Sequence, residues 1–137
     1  MSLFIVVKII HVLSAIFFIG VVGFRTFIFP VLKKHIDKYH YLLYDKAVGL
    51  RARSIIKINN IFLILSGIYL FSYYLQIANI VLYIKITLGL ILALTFYIVP
   101  FIMKRFQAIT WFSTAFHHTF FSLMILTVVL SQLVFLD

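Results

Sequence analysis

Residues 8–25, KIIHVLSAIFFIGVVGFR, open on a lysine, close on an arginine and hold one histidine, and everything between is apolar or small. An α-helix rises about 1.5 Å per residue, so roughly 20 such residues cross a hydrocarbon core about 30 Å thick. The stretch therefore reads as a membrane span, too long and without the small-residue cleavage site of a signal peptide. Its polar residues are ordered. At 100° per residue Lys8, His11, Ser14, Phe18, Val22 and Arg25 fall on one stripe within about 60° of His11. A polar stripe on an oily helix is expected to face other helices.

Three further runs repeat the pattern. The expected spans are 3–29, stopping at Pro30, then 54–76, 80–103 with Pro100 near its end, and 109–135. The 137-residue chain is 65% hydrophobic and 11% charged, where soluble domains are roughly half apolar and a quarter charged. The expected fold is an all-α membrane protein, a single domain built as an antiparallel bundle of four transmembrane helices. Asn60, Gly67 and Phe71 share a face of the second span, and Lys85, Gly89, Leu92 and Phe96 a face of the third. Both faces are expected to point inward, with Gly67 permitting close helix approach.

Between the first two spans lies VLKKHIDKYHYLLYDKAVGLRAR, residues 31–53. Ile36, Tyr39, Leu43 and Ala47 recur there at helical spacing with basic residues between them, which predicts an amphipathic helix in the membrane interface. A cytosolic extension of the second span fits the same pattern. This loop carries Lys33, Lys34, Lys38, Lys46, Arg51 and Arg53, the third loop carries Lys104 and Arg105, and the second loop, QIAN, has no basic residue. The positive-inside rule puts loops 31–53 and 104–109 in the cytoplasm and both termini outside. The net charge of +9 is thereby assigned to orientation and to anionic lipid, and no nucleic-acid partner is expected.

Hydrolytic chemistry has little to work with. The chain has no cysteine and no glutamate, and its three acidic residues, Asp37, Asp45 and Asp137, lie outside the spans. There is no GxSxG and no phosphate loop. An enzyme of this composition works through a bound redox cofactor. Lys8, Arg25 and Lys85 then have no carboxylate at membrane depth. Each must snorkel, lose its proton or meet an anion from outside: a lipid phosphate, or the propionates of haem or a porphyrin.

Depth sorts the polar groups into two layers. His11 lies roughly 12 Å below the outer end of its helix and Lys85 roughly 7 Å below the same face, with Lys8, Tyr73, Tyr74, Ser131 and Gln132 nearby. Asn59, Asn60, His117, His118 and Arg25 lie toward the other face. His11 can hydrogen-bond across helices or serve as an axial haem ligand, the usual role of neutral imidazole at iron. His117 and His118 point about 100° apart, so at most one faces inward squarely. A bond to Asn60, a proton relay or service as a second ligand are the readings open to them. Sharing one haem with His11 conflicts with a depth difference of about 13 Å. Copper is to be tested on His11, His117 and His118, since Cu(I) prefers sulfur and only Met1, Met103 and Met124 supply it.

HVLSAIFFIG followed by RTFIFP in the first span, and YIVPFIMKRF closing the third, resemble the small CopD-like membrane proteins over nearly the whole chain. HemJ-type bacterial protoporphyrinogen oxidases look like distant relatives, with four spans, a histidine in the first and a lysine in the third; His11 and Lys85 stand at those positions. The HemJ-like pattern continues Arg-x-Phe into a Tyr-His pair, where this chain has Ile28, Phe29 and Pro30. The resemblance implies a bacterial-type inner membrane, haem b on His11, and His11 with Lys85 as the catalytic pair for porphyrin oxidation. The candidate cofactor-binding set is His11, Lys8, Lys85, Arg25 and Asn60. Electrons would leave to a quinone or a second haem protein, and a homo-oligomer is expected because four spans give thin cover to a large ligand. The other readings are CopD-like copper transport or resistance, and a small non-catalytic membrane subunit.

Overall fold

The computed structural model describes residues 2–77, 79–106, 108–109 and 111–133. Those residues form four long helices: α1 (Leu3–Gly23), α2 (Lys38–Tyr74), α3 (Ile80–Arg105) and α4 (Phe112–Leu133). Each is long and apolar enough to cross a membrane. The end of the fourth expected span, 134–135, and the acidic Asp137 lie outside the described residues.

The helix starts follow from their caps. Ser2, Asp37 and Asn79 each stand just outside a first turn in extended backbone and accept a hydrogen bond from the amide three residues on, which satisfies one of the donors a helix start leaves open. Pro30 does not end the first span. After α1 the chain makes a π-turn over Phe24–Ile28 and then a 3-10 helix over Phe29–Lys34, with Pro30 in its first turn. An amide is unneeded there, so proline is tolerated. Pro100 likewise lies within α3, which runs on to Arg105.

The larger departure concerns residues 38–53. They are the first turns of α2, which continues unbroken for 37 residues; no separate interfacial helix is formed. No proline interrupts 38–74, and Gly49 is held inside the helix by burial against the end of the first helical segment. The extension of the second span, the other reading of this pattern, is what the chain adopts.

α1 packs chiefly on α2 and α3 on α4, with lesser contacts between α1 and α4 and between α2 and α3. Contacting residue numbers rise on one helix as they fall on its neighbour: His11 meets Leu63 and Ser66, Asn59 meets Ser14, and Arg25 meets Asp45. The core gathers Phe18, Val22, Ile56, Leu92, Phe96, Phe120 and Met124. Phe18 is its hub, meeting Phe96 and Phe120 edge-on at centroid distances of 5.6 and 5.9 Å, the arrangement favoured by the ring quadrupoles. Many large apolar side chains remain exposed along all four helices, as a lipid-facing surface requires.

Candidate functional site

The stripe on α1 is largely inward. Ser14, Phe18 and Val22 are buried, and His11 and Arg25 partly so. Lys8 is exposed, in the second turn of α1.

His11 is held by α2. Its Nδ1 lies 3.1 Å from the Leu63 carbonyl oxygen and 2.9 Å from Ser66 Oγ. A carbonyl oxygen only accepts, and the Ser66 hydroxyl directs its own proton to the same carbonyl at 3.1 Å. A proton on Nδ1, donated to the Leu63 carbonyl, corresponds to the tautomer whose lone pair lies on Nε2. Nε2 has no hydrogen bond among the described residues. The ring rests on Gly67, where an added Cβ would come 3.1 Å from His11 Cε1, so glycine is what lets the imidazole lie flat against α2. Lys85 of α3 is half-buried and near enough for its charge to act on the imidazole. Around the same end, Phe4 packs on Tyr73 at 4.9 Å and on Tyr74 at 6.0 Å between ring centroids.

Asn60 is fully buried at 0% exposure and lies deeper in the helix cluster. Its amide donates to the Ala93 carbonyl of α3 at 3.5 Å and accepts from Asn59 at 3.4 Å, while Asn59 also reaches the Ser14 carbonyl at 2.9 Å. Asn60 thus ties α2 to α3 rather than bonding a histidine of the fourth helix.

At the other end Arg25 is not an unpaired cation. Its guanidinium donates to Asp45 Oδ1 at 2.8 Å. The long α2 explains this: residues counted as loop in the sequence are helix, and they carry Asp45 alongside the end of the first span. A cavity of about 60 Å³ beside the pair is lined by Arg25, Gly49, Arg53 and His117 among others. His117 bonds the Ser113 carbonyl of its own helix at 2.7 Å. His118 is exposed and meets Phe27 edge-on at 5.1 Å.

His11 and Lys85 therefore share one neighbourhood, Arg25 and His117 another, and Lys8, Asn60 and His118 belong to neither. Among the described residues no three side chains of His, Cys, Asp or Glu converge as a metal site. Sequence reasoning passed over Ser66 and the Leu63 carbonyl. They could have been found only from the α1–α2 register, which no local motif encodes. No family model, curated protein or solved structure matches the chain.

Proposed function

We propose that this protein is an antiparallel four-helix membrane bundle that binds haem b or a porphyrin through His11 and serves a redox reaction. The observation that carries the reading is the imidazole itself: Nδ1 is held by Leu63 and Ser66 of α2, and Nε2 has no hydrogen bond among the described residues. Metal-bound histidines are oriented in this way, with the second ring nitrogen donating to a carbonyl or other acceptor. The residues fit an iron ligand on that ground.

Bound haem would supply one-electron chemistry at its iron. The chain's own part is to hold and orient. Leu63 and Ser66 fix the imidazole plane, and Lys85 offers a cation to a propionate. Oxidation of protoporphyrinogen, with a quinone or another haem protein as acceptor, is the activity that the HemJ-like placement of His11 and Lys85 favours. A copper site built on His11, His117 and His118 would need ligands that lie at different levels of the helices.

The test is a reduced-minus-oxidised optical spectrum of the detergent-purified protein beside His11→Ala. A b-type spectrum in the wild type, absent from the variant, is expected. A colourless wild type from cells supplied with haem would sink the reading and direct attention to metal analysis.

A further inference from the structure

A second concavity lies on the outer side of the α1–α2 pair, independent of His11. It is an open groove of about 520 Å³ lined on α1 by Ile16, Phe17 and Gly20, on the following π-turn by Phe24, and on α2 by Ala52 and Ile55, with basic residues at one end. Ile16 and Ile55 mark one end; Arg25 and Arg51 border the other through their aliphatic stems, and the groove surface itself is almost wholly apolar. The groove is open at Gly20, where an added Cβ would find no atom within 4 Å.

The charge at the basic end is only partly neutralised. Arg25 is engaged by Asp45 at 2.8 Å. Arg51 is exposed, lines the groove and has no carboxylate or hydrogen-bond partner among the described residues. A slender apolar trough bordered by an exposed arginine suits a lipid whose headgroup the arginine can swing to meet. Basic pockets between membrane helices bind anionic headgroups on this principle, and a guanidinium fork matches phosphate geometry. A second copy of this chain is a poorer match, since its three acidic residues include Asp45, already paired, and Asp37, hydrogen-bonded to His40.

We propose that the α1–α2 groove binds one anionic glycerophospholipid, an acyl chain lying over Gly20 between Ile16 and Ile55 and the headgroup meeting Arg51. The proposal does not rest on haem binding, and its variants touch no residue of the His11 site.

Native mass spectrometry of the full chain tests it, after incubation in detergent with equal amounts of phosphatidylglycerol and phosphatidylcholine of the same acyl composition. The wild type should retain the anionic lipid about five-fold over the zwitterionic one, the worth of one arginine near an anionic headgroup. Arg51→Gln should lose the preference and Arg51→Lys keep most of it. Gly20→Leu fills the groove and should lower retention of both lipids, with the far-UV circular dichroism unchanged. Equal retention by the wild type overturns the proposal. So does a preference that survives Arg51→Gln, or retention unaffected by Gly20→Leu, which would put the lipid elsewhere. A wild-type dimer dissociated by Gly20→Leu, with no lipid retained, would assign the groove to a second copy.

Discussion

At the scale of single residues, the informative feature of His11 is the asymmetry of its two nitrogens. Periodicity alone put His11 on the inward stripe, because a histidine sharing a face with Ser14, Phe18 and Val22 cannot easily point elsewhere. What it bonds to was not legible, since Ser66 and Leu63 lie more than 50 positions away in sequence. Asn60 repeats the lesson: its burial followed from the stripe, while its partner at Ala93 depended on the α2–α3 register. The roles of the two partners can be separated. Ser66→Ala removes the hydroxyl and leaves the Leu63 carbonyl, so the imidazole keeps one anchor and gains freedom to swing. Haem affinity, followed by titration of the purified apoprotein, should fall about ten-fold, the low end for loss of a group that orients a metal ligand. His11→Ala should abolish the axial-ligand spectrum. Equal affinity in wild type and Ser66→Ala would mean that the orientation of the ring is set elsewhere.

At the scale of elements, α2 decides most of what the sequence left open. The pattern of residues 38–53 suited either an interfacial helix or an extension of the second span, because both present the same amphipathic spacing; only tertiary contact separates them. The extension brings Asp45 to Arg25, with side-chain exposures of 40% and 16%. Asp45→Asn should therefore destabilise the protein by about 1 kcal/mol, the upper end for pairs open to solvent on one side. Thermal unfolding in detergent measures it, and an Arg25→Gln, Asp45→Asn double variant should show the two losses to be less than additive. The start of α2 titrates. Asp37 is held below the ordinary carboxylate value of 3.8, first by the hydrogen bond from the His40 ring, and it also accepts the His40 amide as helix cap. A depressed folded value means that the capping contribution is present above the unfolded value and lost as pH falls through the lower folded one. Hydrogen exchange of the His40 and Tyr41 amides should thus stay slow, after correction for intrinsic rate, from neutral pH down to about 4. Their protection should drop below that point, and in Asp37→Asn the drop should be absent.

At the scale of the whole molecule, the legible part of the fold was the part written in composition: four apolar helices, with basic residues gathered in two of the three connections. Helix ends were less legible, since Pro30 looked like a stop and is accommodated in a helical turn. The charge asymmetry carries a consequence for orientation. Lys46 and Lys104 lie at one end of the helix cluster by the contact register, Ser2 and Gln76 at the other, and all four are exposed. Insertion that follows the distribution of lysine and arginine retains the first pair in the cytoplasm. The chain has no cysteine, so single cysteines can be placed at these positions without background. In intact cells a membrane-impermeant maleimide should label Ser2→Cys and Gln76→Cys and spare Lys46→Cys and Lys104→Cys until the membrane is opened. The reversed pattern would overturn the orientation while keeping the four spans. Labelling that separates position 46 from position 104 would overturn the spans themselves, because two connections divided by a pair of crossings must share a side.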